Sequence, residues 1–124
     1  MLLQAPKGMK DVTQREKLIK DFMHSKFVSV YERHGAVPIE TPTVELRELL
    51  TNKYGEDEKL IFNLCDDDTT QQLSLRYDLS VPFVRYLAQN KISTLKKYHI
   101  GKVYRRDNPS IATGRFREFL QYVF

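Results

Sequence analysis

The last quarter of the chain, residues 98–124, constrains the fold more than any other stretch. Residues 98–104 and 116–124 are rich in aromatic and β-branched side chains, and the segment between them carries Asn108, Pro109, Ser110 and Gly114. Strand formers on either side of turn residues predict a hairpin lying on a sheet. Basic residues crowd both feet of its loop: Lys102, Arg105, Arg106, Arg115 and Arg117. A cationic hairpin suits a polyphosphate or a nucleic-acid backbone, because guanidinium groups make paired, charge-assisted bonds to phosphate oxygens. The same arginines equally suit a solvated hairpin kept soluble at its edge. Charge patterning by itself leaves both readings open.

With 124 residues the chain is long enough for one domain with a modest core. A net charge of +4 is compatible with a polyanionic partner without demanding one. The lone cysteine, Cys65, excludes an intrachain disulfide and points to a reducing compartment. His24, His34 and His99 are scattered, so no metal-ligand spacing exists and no metal site is expected. The opening MLLQAPKGMKD has too short an apolar run for a signal peptide, and no segment approaches membrane-spanning length. A cytoplasmic protein without a membrane partner is the expectation.

Along the chain, Thr13 and Glu16 fit a capping box. Leu18, Ile19, Phe22, Met23, Phe27, Val30 and Tyr31 follow at helical spacing, and Gly35 marks a stop, so a helix is predicted over residues 14–33. Residues 36–41 predict a short strand ended by Pro42, and residues 44–52 a second helix closed by Gly55. Short strands are expected at residues 60–64 and 72–75, separated by Asp66, Asp67, Asp68, Thr69 and Thr70. The three aspartates lack the alternating ligands, glycine and distal glutamate of a calcium loop, so a solvated turn is expected there. Residues 78–89 return to a helical pattern, with Pro82 tolerable in the first turn. The order helix, strand, helix, hairpin, helix, hairpin reads as α+β, an antiparallel sheet flanked by helices. The chain ends among Phe119, Leu120, Tyr122, Val123 and Phe124, apolar strand formers where a domain usually has a polar tail. The expectation is a piece of a longer protein with an unpaired sheet edge.

Several stretches carry a resemblance. PKGMKD at residues 6–11 looks like the opening of the histidyl-tRNA synthetase family, class II aminoacyl-tRNA synthetases, in their eukaryotic form. The long helix followed by Gly35, Ala36 and Glu40-Thr41-Pro42 resembles that family's motif 1, about residues 14–42. KYGEDEKLI at residues 53–61 and LSLRYDLSVPFVRYLA at residues 73–88 are similar to family stretches. YHIGKVYRRDNP at residues 98–109, with GRFREFLQ at residues 114–121, resembles motif 2, about residues 98–124. The resemblance covers nearly the whole chain and implies the N-terminal part of a class II catalytic domain, truncated before motif 3.

That resemblance implies roles. Arg105 matches the arginine that bridges the ATP α-phosphate and the amino acid carboxylate, for which a planar, permanently charged fork is suited. Asp107 stands where an acidic residue, glutamate in many relatives, reads the adenine amino group, and Phe119 where adenine stacks. Arg115 and Arg117 match loop positions near ATP phosphates or the tRNA acceptor end. In the stretch Asp78, Leu79, Ser80, the acid and the hydroxyl match the receptors of the histidine α-amino group, and Gln121 a contact to bound histidine. Read without the family, Asp78 and Ser80 also suit a helix cap and Phe119 a core position. The implied partners are L-histidine, ATP, tRNA(His) and a second copy through motif 1. Mg2+ is expected to accompany ATP, with no protein ligand identifiable in the sequence.

The implied reaction forms histidyl-adenylate from histidine and ATP, then charges tRNA. The carboxylate is already a nucleophile, so orientation and charge neutralisation are the catalytic tasks. Motif 3, the glycine-rich histidine loop, the anticodon-binding domain and an acidic pocket residue after Gln121 are not in this sequence, and Val123 stands where eukaryotic relatives often have aspartate. The chain alone is therefore expected to be inactive. The alternative is a non-catalytic, synthetase-like regulatory or dimerisation module, against which the presence of Arg105, Asp78 and Gln121 argues. A general RNA-binding protein would need a stacking platform that is missing here.

Overall fold

Backbone pairing begins with the hairpin. The computed structural model describes residues 2–65 and 71–124. Strand β4 (Lys97–Tyr104) runs antiparallel to β5 (Glu118–Val123), in a register from His99 opposite Val123 to Tyr104 opposite Glu118. On its other side β4 takes β1 (Val37–Ile39) in parallel, giving a mixed three-stranded sheet with β4 at its centre. Helix α1 (Gln14–Arg33) forms over the residues the sequence predicts. The Thr13 hydroxyl accepts from the Glu16 amide at 3.4 Å, satisfying one of the helix's orphan donors. At the other end Gly35 N–H reaches Glu32 O and Ala36 N–H reaches Tyr31 O, a Schellman pair that turns the chain into β1.

Two expectations fail where non-local pairing competes with local propensity. Residues 44–46 are not helical: they form strand β2 (Val44–Leu46), antiparallel to β3 (Leu73–Leu75). Helix α2 (Arg47–Tyr54) begins only afterwards. Glu45 decides the matter, because its buried carboxylate takes Arg85 Nε at 2.8 and 2.9 Å from helix α3 (Ser80–Gln89). Residues 60–64 do not form a strand either. A 3-10 turn occupies Gly55–Leu60, and Asn63 makes one isolated bridge to Ser74, whose hydroxyl donates to Asn63 Oδ1 at 2.7 Å. The expected turn at residues 66–70 lies outside the described residues.

Helix α1 has no buried residue. It leans on the sheet through rings: Tyr31 stacks on Tyr98 at 5.4 Å and on Phe124 at 5.3 Å, and Phe27 meets Tyr122 at 4.9 Å. The Tyr98 hydroxyl donates to Glu32 at 3.1 Å. Leu18, Ile19, Phe22 and Met23 remain exposed, Leu18 at 64% and Phe22 at 62%. A row of this kind is more than scattered surface apolarity.

The interior is small and partly polar. Ala36, Leu50, Ile61, Leu79, Tyr98 and Val103 are buried beside Thr41, Ser74, Arg76 and His99. Arg76, 4% exposed, donates from Nε to Lys102 O at 2.7 Å and from Nη1 to Thr41 O at 3.0 Å, Thr41 Oγ1 at 3.2 Å and Pro42 O at 3.3 Å. His99 Nε2 lies 3.2 Å from the same Thr41 hydroxyl, and His99 Nδ1 is buried with no partner among the described residues.

Burial, with lesser contributions from Arg76 and Lys97, pushes His99 down from 6.5 to about 4. Between those values the unfolded chain binds a proton that the folded chain refuses, so stability falls as pH drops through the window. The full effect is roughly 3 kcal/mol. Urea unfolding at pH 7 and pH 4 should show His99→Phe losing much less stability than the unaltered chain over that interval. Equal losses would mean that His99 protonates freely inside the fold.

Candidate functional site

The loop between β4 and β5 and the segment ahead of α3 meet at Arg105. Its amide donates to Arg117 O at 2.9 Å, continuing the hairpin beyond the strands. Its Nε donates to Tyr77 O at 3.1 Å. The guanidinium carbon lies 4.3 Å from the Tyr77 ring centroid and 5.1 Å from that of Phe119, so two aromatic rings hold the cation. Neither Nη atom hydrogen-bonds among the described residues, which leaves the fork available.

The loop is closed from within. Ser110 and Arg115 exchange backbone bonds of 2.9 and 2.8 Å around a short 3-10 turn, Ile111–Thr113. Asp107 accepts Arg115 Nη2 on one carboxylate oxygen and the Asn108 amide on the other, both at 2.8 Å. Arg117 Nε donates to Asp107 O at 2.9 Å, and the Arg106 amide donates to Leu60 O at 2.8 Å. Lys102 belongs elsewhere: it lies along β4, 3.8 Å from Glu118.

At the head of α3, Asp78 Oδ1 accepts the amides of Ser80 at 3.0 Å and Val81 at 3.4 Å. Asp78 stands one residue ahead of the N-cap, Leu79, so it is not the cap itself, but its charge complements the N-terminal end of the helix dipole. Oδ2 carries no hydrogen bond among the described residues. Leu79 is fully buried, and its amide donates to Gln121 Oε1 at 3.0 Å, tying β5 to the helix head. Ser80 is exposed at the first helical position.

Asp78, Leu79, Ser80 and Gln121 thus form one group, and Arg105, Asp107, Arg115, Arg117 and Phe119 another. Tyr77, whose carbonyl and ring both hold Arg105, joins them. Tyr77 and Arg76 were missed at the sequence level, Arg76 because an arginine beside a strand pattern reads as exposed. Two surface concavities, ≈ 530 Å³ beside His24, Val28 and Arg33 and ≈ 310 Å³ beside Phe83, Lys97 and Phe124, include none of these residues. Tyr77, Asp78, Arg105, Asp107, Phe119 and Gln121 are all half-buried. The site presents a cationic fork next to an acid-headed helix, a pairing that can hold a phosphate and an ammonium side by side.

Among solved structures the fold matches histidyl-tRNA synthetase from Nostoc sp. PCC 7120 with a TM-score of 0.81 at 27% identity, over 98% of this chain and 28% of that one. The architecture is that of part of an aminoacyl-tRNA synthetase. The sequence model of the family described as histidyl-tRNA synthetase matches residues 8–123, and the chain belongs to that family. It is similar to the cytoplasmic histidine–tRNA ligase of Takifugu rubripes, with 53% identity over 99% of this chain and 24% of that protein. The mitochondrial enzyme of Saccharomyces cerevisiae shares 51% identity over 98% of this chain and 22% of its own length. The chain thus spans about a quarter of the length of these relatives. Among the described residues no helix is long and apolar enough to cross a membrane.

Proposed function

We propose that this chain is the ATP- and histidine-holding part of a cytoplasmic histidine–tRNA ligase. One observation carries the reading: Arg105 stands at the junction of the cationic loop and the Asp78–Gln121 group, with neither Nη bonded among the described residues. From there a single guanidinium reaches both the α-phosphate and the histidine carboxylate. It orients the nucleophile and neutralises the charge that builds on the phosphate. Asp78 and Ser80 receive the α-amino group, and Gln121, held through its Oε1, offers its amide nitrogen to histidine. Phe119 supplies an aromatic face for adenine, and Asp107 an acceptor for its amino group once Arg115 turns to phosphate. Mg2+ would arrive on the nucleotide, held by its phosphates. When bound it shields the phosphate charge. The tRNA(His) acceptor end approaches the exposed Arg106 and Arg115.

The exposed row on α1 is the surface for a second copy, since isologous packing buries such a stripe twice. A monomeric mass by light scattering well above micromolar concentration would sink that part. Histidine-dependent ATP–pyrophosphate exchange tests the rest, on this chain and on a full-length protein containing it. Exchange in the longer protein alone is the expected result. Silence in both would favour a regulatory, non-catalytic module.

A further inference from the structure

The first residues of the chain have little reason to be held where they are. Leu2 and Leu3 are 80% and 92% exposed, and most positions to Thr13 lie open to solvent. Gly8 is the exception, buried in a turn closed by Met9 N–H on Pro6 O at 3.0 Å. Its φ of +78° is the left-handed conformation that glycine adopts without strain. Its carbonyl accepts the Arg117 amide at 2.7 Å. A Cβ at Gly8 would come within 2.6 Å of Arg117 Cγ, 2.8 Å of Arg117 Cδ and 3.0 Å of Pro109 Cβ. The turn is therefore seated on both limbs of the cationic loop.

Arg117 passes that seating on. Its amide donates to Gly8 O, its carbonyl accepts the Arg105 amide at 2.9 Å, and its Nε donates to Asp107 O at 2.9 Å. One residue thus joins the N-terminal turn to two groups that the proposed function places against ATP. We propose that the turn at residues 6–9 is a positioning element for nucleotide binding, with Gly8 setting Arg117 and, through it, Arg105 and Asp107. This rests on the reading of the loop as the ATP-holding element. Gly8 acts through Arg117, whose amide donates to its carbonyl and whose side chain lies against it.

Two variants separate the causes. Gly8→Ala brings both the Cβ contact and the strained φ, whereas Gly8→Asn tolerates positive φ and retains the contact. Amide hydrogen exchange on the chain reads the coupling directly: both variants should speed exchange at Arg117 and Arg105 by about tenfold or more while α1 stays protected. Steady-state pyrophosphate exchange in the full-length ligase reads the consequence. KM for ATP should rise about tenfold, with KM for histidine changing less than about twofold. Unchanged amide exchange at Arg117 and Arg105 would overturn the coupling. Faster exchange with an unaltered KM for ATP would overturn the role in nucleotide binding and point to failure of the ATP reading. Loss of protection throughout the chain in both variants would also overturn the proposal, since the turn would then be a folding element.

Discussion

Exchanging Arg105 for lysine is expected to lower kcat/KM for histidine-dependent pyrophosphate exchange by about 10²–10³-fold in a full-length protein containing this chain. Lysine preserves the positive charge and can still lie between the Tyr77 and Phe119 rings, so a merely electrostatic role would survive the change. What disappears is the planar fork proposed to engage two oxygens at once and the Nε bond to Tyr77 O. Losing that bond costs about 1 kcal/mol, too little to unfold a domain of this size. Arg106→Lys, at an exposed position in the same loop, is the comparison. A loss below about tenfold at Arg105, or equal losses at both positions, would remove Arg105 from the α-phosphate.

Arg76→Met is expected to be the most damaging change to stability, by roughly 3–5 kcal/mol, or on the order of 10 °C in Tm. Methionine conserves much of the volume, so cavity formation is not the main cause. The loss lies in the carbonyls of Thr41, whose bond is buried, and of Lys102 and Pro42, whose bonds are partly so, all left without their donor. Burial holds the Arg76 guanidinium below the usual arginine range, and no carboxylate stands within ion-pair distance of it among the described residues. Backbone oxygens therefore do the work of a counter-ion. Gly101 on β4 belongs to the same arrangement, because a Cβ there would strike Arg76 Nη2. Thermal melts followed by circular dichroism decide the point. A shift of only a few degrees would mean that water or relaxation replaces the arginine.

The sequence by itself determined the parts whose hydrogen bonds close within a few residues. Helix α1 runs over the expected residues because Thr13 and the Gly35 stop act locally. The β4–β5 hairpin was equally legible from its strand formers and turn residues, as was the family. Only the tertiary structure decided the rest. Whether residues 44–46 become helix or strand depends on β3 and on Arg85, neither of which is near in sequence. That β1 lies parallel to β4, that Arg76 and His99 are buried, and that Tyr77 and Phe119 hold Arg105 also follow from distant partners. Gly8 shows the limit most plainly. A lone glycine near the start of a chain reads as a loop residue until Arg117 is seen lying against it. The physical reason is range: propensities and caps act over one helical turn, whereas burial and pairing are set by residues that meet only once the chain has closed on itself.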